Sequence, residues 1–152
     1  MKIGVISDTH GLLRPEAVAC LADVRHILHA GDIGSPEVIA DLRKIAPVTA
    51  IRGNIDRDGW AAAYPDDVVV KLAGRSIYML HNLNEIGLDP VSLGYDVVVS
   101  GHSHRPRIET SDGVLYLNPG SAGPRRFTLP ISLATLELSD DGIEPRLHEI
   151  AS

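Results

Sequence analysis

Cysteine, long apolar runs and clusters of basic residues are all scarce in this sequence of 152 residues. The single cysteine, Cys20, excludes a disulfide within one chain and any metal cluster held by several thiolates of one chain. No apolar stretch reaches the roughly 20 residues that cross a bilayer, so we expect no membrane-spanning segment. The formal net charge of −6, without runs of lysine or arginine, argues against broad binding to nucleic acid or anionic lipid.

The length of the chain fits one domain over residues 1–152, with a real core and no room for a sizeable cap. Residues 1–10 carry one lysine and a short apolar run, which is typical of a first strand rather than of a signal peptide. We therefore expect a cytoplasmic protein. An acidic protein that handles phosphate needs metal ions to reverse the sign of the local charge.

The first half of the chain alternates short apolar runs with helix-like segments, which is typical of α/β proteins. Strands are expected at 3–7, 26–30 and 48–51, with helices at 15–24 and after Ser35, which is placed to cap the second helix. The second half is mostly β, with strands expected at 68–72, 76–80, 97–100, 107–110, 114–117, 131–138 and 144–150. Two packed sheets with helices outside accommodate this order, although periodicity alone does not exclude a single mixed sheet.

Residues of the types that bind metals follow five of the expected strands. They are Asp8 and His10, then Asp32, then Asn54, then His81, and finally His102 and His104. In α/β sheets, ligands bind in the crevice outside the carboxyl ends of the strands. We therefore expect these seven side chains to converge, although they lie far apart in the sequence.

Glycine precedes three of these residues, at Gly31, Gly53 and Gly101. Glycine permits sharp turns and lets two backbone segments approach each other closely. The loops that carry the candidate ligands are therefore expected to be crowded together.

The donor set consists of two carboxylates, one amide and four imidazoles, without sulfur. This set suits Mn²⁺, Fe²⁺, Zn²⁺, Co²⁺ or Ni²⁺ better than Mg²⁺ alone, and we expect Mn²⁺ most. Seven ligands exceed what one ion uses, so we expect two ions about 3.5 to 4 Å apart, bridged by Asp32. The spacing of two residues in the pairs Asp8 with His10 and His102 with His104 places both side chains of a pair on one side, if strand geometry persists.

Each candidate also has a structural interpretation. Asp8 and Asp32, each taken alone, are more often helix or turn caps, and Asn54 followed by Asp56 suggests an ordinary turn. His81 taken alone suggests a half-buried polar residue at a strand end. His102 and His104 are harder to explain, because two imidazoles beside a glycine turn have no common packing role. The occurrence of the whole set is what favours a metal site.

The remaining histidines and the arginines are not among the candidate ligands. His26 and His29 lie on the second strand, where a hydrogen-bonded core or supporting histidine is the favoured interpretation. His148 is expected to be exposed, and a solvated surface position is the default for Arg52 and Arg126.

The ordered motifs resemble those of the calcineurin-like metallophosphoesterase superfamily, and more closely its small bacterial and archaeal phosphodiesterase branch. The motifs are Asp8-x-His10, Gly31-Asp32, Gly53-Asn54-x-Asp56, His81, Gly101-His102-Ser103-His104 and Asn118-Pro119-Gly120-Ser121. The resemblance extends from Met1 to about Arg126. It implies an α/β sandwich of two mixed β-sheets, packed face to face with helices outside.

The resemblance also implies how the ligands are shared between two ions. It assigns to the first ion Asp8, His10, Asp32 and His104, and to the second Asp32, Asn54, His81 and His102. The turn that begins at Asn118 would support the site from behind.

Two positions depart from the family pattern. The strand-end histidine is usually followed by glycine, whereas here Asn82 follows His81; asparagine tolerates a left-handed turn. The protein serine/threonine phosphatase branch has a histidine acting as general acid where this chain has Ile55. Asp56, which could orient water or a ligand, and His10 are the remaining candidates to assist catalysis. Substrates with good leaving groups should therefore be favoured.

The expected reaction is hydrolysis of a small phosphate ester. A diester is the favoured substrate, and a monoester is the alternative on the same site. A hydroxide bridging the two ions would attack phosphorus in line, and Asn54 would help to stabilise charge on the phosphoryl oxygens. Two other functions stay open: a non-catalytic protein-interaction module, as in the retromer subunit of this fold, and a phosphate- or nucleotide-binding sensor. The complete set of seven ligands favours an enzyme.

Overall fold

In the computed structural model, which describes residues 1–151, the chain forms two five-stranded sheets. The strands are β1 (Lys2–Ile6), β2 (His26–His29), β3 (Val48–Ala50), β4 (Asp67–Leu72), β5 (Arg75–Leu80), β6 (Val97–Val99), β7 (Arg107–Ser111), β8 (Val114–Asn118), β9 (Ile131–Ser139) and β10 (Gly142–Ala151). The helices are α1 (Pro15–Cys20), α2 (Pro36–Arg43) and the 3₁₀ helices Gly59–Ala63 and Leu83–Glu85. No helix within residues 1–151 is long and apolar enough to cross a membrane.

Both sheets are mixed. The first has the order β10-β9-β1-β2-β3, in which β1, β2 and β3 are parallel and β9 is antiparallel to both of its neighbours. The second has the order β4-β5-β6-β8-β7, with β5, β6 and β8 parallel and an antiparallel strand at each edge. The prediction of two mixed sheets is confirmed, and the single-sheet alternative is excluded.

The main core lies between the two sheets. Leu28 and Ala134 of the first sheet belong to one buried apolar cluster with Met79 and Val99 of the second. Successive residues of a strand point to opposite faces, so Ile27, next to Leu28, belongs instead to a cluster on the outer face of the first sheet. The sheets therefore pack face to face, as the sequence predicts.

The two outer faces are covered differently. Helices α1 and α2 cover the first sheet, with Ala17, Leu21 and Leu42 buried against it. Tyr78 and Val98 of the second sheet lie in a smaller cluster covered by the segment 83–95, which contains only a short 3₁₀ helix. The segment that follows His81 is thus a structural cover for this sheet.

Several local predictions differ from the structure. Helix α1 ends at Cys20 rather than at residue 24, because the chain turns there. Arg25, just before β2, then donates its N–H to the carbonyl of Lys2 on β1. Ser35 precedes α2 with an extended backbone, but its side chain makes no capping hydrogen bond. His148 is half-buried instead of exposed, with Nε2 2.8 Å from Oγ1 of Thr135 on the neighbouring strand β9.

Candidate metal centre

The loops after β1, β2, β3, β5 and β6 carry the seven candidate ligands, and backbone hydrogen bonds join several of these loops. Asp8 N–H donates to the carbonyl of Gly31 at 3.0 Å, and His10 N–H donates to the carbonyl of Asp32 at 2.9 Å. Gly101 N–H donates to the carbonyl of His81 at 3.0 Å. Residues that are distant in sequence are therefore held side by side at the carboxyl ends of parallel strands.

Strand geometry does not persist into these loops. Left-handed backbone conformations with φ between 48° and 70° occur at Asp8, His10, Asp32, His102 and His104. A left-handed conformation costs an L-residue roughly 1–2 kcal/mol, so the surrounding contacts must impose it. The condition for the prediction that each pair shares one side of a strand, which was persistence of strand geometry, is therefore not met.

The ligand atoms nevertheless meet at one point. Oδ1 of Asp8 lies 3.4 Å from Nε2 of His104, 3.8 Å from Nε2 of His81 and 3.9 Å from Nε2 of His10. Oδ2 of Asp32 lies 3.3 Å from Nε2 of His81 and 3.7 Å from Nε2 of His10. Two groups of ligand atoms, each within 4.8 Å of one another, share Asp8: one with His10 and His104, the other with Asp32 and His81.

These atoms have the properties that a cation site requires. Oδ1 of Asp8, Nε2 of His10 and Nε2 of His81 are buried and have no hydrogen-bond partner. Buried polar atoms without a partner are costly unless they are paired or coordinate a metal. The distances from these imidazoles to the carboxylates are ion-pair distances without hydrogen-bond geometry. The residues therefore fit a divalent ion.

The protonation states also suit a cation. Burial alone would raise the pKa of Asp32, but His81, the Ile55 N–H and His10 outweigh it and lower the pKa to about 2. Burial lowers the pKa of His10 and so favours its neutral, metal-binding form. Burial opposes protonation of His81 too, yet its contacts with Asp32 and the carbonyl of Ala30 raise its pKa overall. A bound ion would compete with the proton of His81.

Further hydrogen bonds orient the ligands. Nδ1 of His81 lies 2.7 Å from the carbonyl of Ala30, so Nδ1 carries the hydrogen and Nε2 offers its lone pair to the site. Oδ2 of Asp8 accepts from Ser7 Oγ at 2.7 Å and from His102 N–H at 3.1 Å, which leaves Oδ1 free. Neither supporting contact was apparent in the sequence, because Ser7 and Ala30 belong to ordinary strand ends.

The three glycines are needed for close approach, as predicted. A Cβ atom at Gly53 would lie 2.1 Å from Oδ1 of Asp32. One at Gly101 would lie 2.1 Å from Oγ of Ser7 and 2.6 Å from Oδ2 of Asp8. Gly31 has φ of 100°, and a Cβ atom there would lie 2.7 Å from Nδ1 of His81.

The turn at Asn118 does support the site. Its Nδ2 donates to the carbonyl of Gly101 at 2.9 Å and to Oγ of Ser103 at 3.1 Å. Ser121 Oγ donates to the carbonyl of Asp8 at 3.0 Å. The turn thus links the loop after β6 to the loop after β1.

Asn54 and His102 lie at the rim of this group. Asn54 is exposed and lines a cleft together with His81, while His102 is half-buried with its ring centroid 5.2 Å from that of His81. Asn82, which follows His81, has an extended backbone (φ −113°), so the explanation by a left-handed turn is wrong. Its Oδ1 instead accepts from Asn84 N–H at the start of the 3₁₀ helix.

Asp56 is outside the group of ligand atoms. Its buried carboxylate accepts hydrogen bonds from the N–H groups of Ile33, Gly34 and Gly53 at 2.8 to 3.0 Å. These bonds join the loop after β2 to the loop after β3. The geometry gives Asp56 a bracing role between these two loops.

His29 has the supporting role that the sequence predicts. Gly31 N–H donates to its Nδ1 at 3.1 Å, so the hydrogen lies on Nε2, which is 2.9 Å from Oγ1 of Thr9. Thr9 Oγ1 donates in turn to the carbonyl of Ile33 at 3.0 Å. Complete burial lowers the pKa of His29 to about 4. This neutral histidine braces the segment between Asp8 and His10.

Comparison with known proteins agrees with this arrangement. A probable metallophosphoesterase of Methanothermobacter thermautotrophicus is 35% identical over 162 residues, which cover 97% of this chain and 91% of the relative. A phosphodiesterase of Methanocaldococcus jannaschii is 31% identical over 138 residues, with 79% of this chain and 83% of the relative covered.

Solved structures share the fold. The wild-type Vps29 of Entamoeba histolytica complexed with Zn²⁺ superposes with a TM-score of 0.76 at 21% identity, covering 99% of this chain and 100% of that chain. The calcineurin-like phosphoesterase superfamily domain matches residues 1–141, the part of the sequence that holds every candidate ligand. With its two mixed sheets and its clustered carboxylates and imidazoles, the chain belongs to the calcineurin-like phosphoesterase superfamily.

Proposed function

We propose that this protein is a phosphodiesterase that binds two divalent ions through Asp8, His10, Asp32, Asn54, His81, His102 and His104. One observation carries the proposal: unpartnered, buried ligand atoms of Asp8, His10 and His81 face a common point. Oδ2 of Asp32 lies near His10, from the first proposed ligand set, and near His81, from the second. We propose Asp32 as the bridging ligand on the basis of these two contacts; Oδ1 of Asp8 also lies near histidines of both sets, at 3.9 Å from His10 and 3.8 Å from His81.

Divalent ions at this site would supply Lewis-acid activation of water and neutralise charge on the phosphoryl oxygens. Manganese is the ion we propose, since imidazole and carboxylate donors suit it. The Zn²⁺ bound by Vps29 of Entamoeba histolytica makes zinc the first alternative. The side chains of Asp8 and Asp32 would hold the ions, and the exposed amide of Asn54 would donate a hydrogen bond to a phosphoryl oxygen.

Besides metal binding, we propose that His10 helps to handle a proton, because burial lowers the pKa of this half-buried side chain. For Asp56 we propose a positioning role through the loops it joins, in place of direct contact with water. Ile55 stands where the related phosphatase branch has its acid, so a good leaving group should be required. Diesters of acidic alcohols are therefore the favoured substrates.

The alternatives are a phosphomonoesterase, a slow phosphate- or nucleotide-binding sensor, and a non-catalytic interaction module. The relative named a phosphodiesterase, at 31% identity, favours diesters over monoesters. The likeness to Vps29 concerns the fold alone and keeps the interaction module as an alternative. The buried ligand atoms without partners support a bound metal, which the proposed hydrolysis requires.

The test is to strip the protein of metal, reload it with Mn²⁺, Ni²⁺, Zn²⁺ or Mg²⁺, and measure hydrolysis of bis-p-nitrophenyl phosphate and p-nitrophenyl phosphate. Asp32→Ala is the control variant. Metal-dependent turnover of the diester that disappears in Asp32→Ala is the expected result. Preference for the monoester would assign a phosphomonoesterase, and bound metal without turnover beyond that of metal in buffer would favour a sensor or interaction module.

We also propose that residues 1–152 act as one domain, because one apolar cluster contains residues of both sheets.

The free thiol of Cys20 suits the reducing cytoplasm, which is the compartment we propose.

A further inference from the structure

Two clefts lie beside the candidate metal centre. The first, named the Arg57 cleft, has a volume of about 420 Å³, and its lining includes Arg52, Asn54, Arg57, Tyr78, His81 and Glu85. The second, named the Pro106 cleft, has a volume of about 370 Å³, and its lining includes Leu83, Asn84, His102, Ser103, Arg105 and Pro106. Each volume falls within the range of about 300 to 1,000 Å³ typical of small-molecule sites.

The two clefts meet at the same part of the site. His81 lines the Arg57 cleft and His102 lines the Pro106 cleft, and the centroids of the two rings are 5.2 Å apart. Asn82 lines both clefts, and the hydrogen bond from Asn84 N–H to its Oδ1 holds its side chain in place. A phosphorus atom held beside these two imidazoles would therefore lie next to both clefts.

We propose that this site takes phosphodiesters with two ring-sized organic substituents, one in the Arg57 cleft and the other in the Pro106 cleft. The inference rests on the proposed phosphodiesterase function and goes beyond it by giving each ester arm a binding site. A monoester would fill one cleft and leave the other to water. Only a diester gains binding energy from a second arm, and this gain would make the protein favour diesters over monoesters.

The walls of the Arg57 cleft are preorganised. Arg52 pairs with Asp66 at 2.9 Å, and the hydroxyl of Tyr78 donates to Oδ2 of Asp67 at 2.8 Å. Nε of Arg57 donates to the carbonyl of Asn54 at 2.9 Å, which ties this wall to a proposed metal ligand. Side chains that are already fixed lose little conformational entropy when a substituent binds.

The 3₁₀ helix Leu83–Glu85 provides a matched pair of test positions. Asn84 and its neighbour Glu85 are both exposed, but Asn84 lines the Pro106 cleft and Glu85 lines the Arg57 cleft. The backbone N–H groups of both residues donate to Asn82, and a change of side chain leaves these bonds in place. Asn84→Trp and Glu85→Trp would each fill one cleft without altering a proposed ligand.

The substrates are bis-p-nitrophenyl phosphate and methyl p-nitrophenyl phosphate, which share charge and leaving group and differ only in the second arm. We expect one tryptophan variant to raise KM about tenfold for the bis ester alone, because it blocks the arm that is retained. The other variant should raise KM for both esters, because it blocks the leaving group. Bound metal, measured by elemental analysis, should match that of the parent protein in both variants.

Equal effects of each variant on the two esters, or no effect of either, would overturn the assignment of two arm sites. Asn84→Phe and Glu85→Phe repeat the test with a smaller ring if a tryptophan variant fails to fold. Failure of the parent protein to hydrolyse either diester with any metal is a different result, because it would overturn the proposed phosphodiesterase function itself.

Discussion

Oδ2 of Asp32 lies 3.3 Å from Nε2 of His81, and this contact joins the loop after β2 to the loop after β5. Both side chains are buried, and the pKa of Asp32 is lowered to about 2. The carboxylate therefore stays charged at neutral pH, in a place where an uncompensated charge is costly. A cation bound between the two residues would compensate that charge.

Asp32→Asn should lower the affinity for Mn²⁺ by more than about 100-fold. Mutation of a residue that supports a metal ligand typically lowers metal affinity about 10- to 100-fold, and loss of the ligand itself should cost more. Titration calorimetry on the metal-free protein would measure this change. Asp23→Asn is the matched control, because Asp23 is exposed and pairs with Lys2, away from the site. Two equivalents of bound metal and full activity in Asp32→Asn would contradict a bridging role.

Asp56→Asn should destabilise the protein by about 1–3 kcal/mol, because the amide cannot accept all three backbone N–H bonds and leaves buried groups unpaired. Urea unfolding would measure the loss, and Asp58→Asn, at an exposed position without a side-chain cap bond, should change stability little. A large fall in kcat with unchanged stability would instead indicate that Asp56 contacts the reacting water.

Gly101→Ala should destabilise the fold by about 1–3 kcal/mol, since the added methyl group overlaps Ser7 and the carboxylate of Asp8. Metal affinity should fall with stability, because Asp8 must move. Gly59→Ala is the control: its Cβ atom meets nothing within 4 Å, and its expected effect is below about 1 kcal/mol. Both variants can be compared by thermal unfolding with and without Mn²⁺, and equal behaviour would refute the close-packing argument.

His29 makes a pH-dependent contribution to stability. Its pKa is about 4 in the folded protein, against about 6.5 in an unfolded chain. The unfolded state therefore binds more protons in this window, and the free energy of unfolding falls as the pH drops from 6.5 towards 4. The total contribution is about 3 kcal/mol.

His29→Gln should flatten this slope, although it lowers stability at pH 7. Urea unfolding in a chelating buffer at several pH values between 7 and 4.5 would measure the slope for both proteins. The charged groups that face His29, which are Asp8, Asp56, His81 and Asp32, are present in both. Parallel slopes would show that His29 does not stay neutral in the folded protein.

Local pattern was enough to predict much of this fold. Alternation along the strands, as at Ile27 and Leu28, distinguishes the outer face of a sheet from the core between the sheets. Because parallel strands end at one edge of a sheet, polar residues placed after them are brought together. The candidate ligands, the need for glycine at Gly53 and Gly101, and the supporting role of His29 all followed from this reasoning.

Contacts between distant segments decided the rest. The left-handed backbone at Asp8 and His102 depends on neighbouring loops that compensate its cost, and these neighbours are distant in sequence. The three N–H groups that donate to Asp56 come from two loops, and the carbonyl that orients His81 belongs to Ala30, the residue after β2. Local sequence pattern specifies which chemical groups are available and at which strand ends they lie. Which of those groups face a common point, and which brace the loops, follows from the packing of distant segments, because hydrogen bonds between such segments do not depend on local propensity.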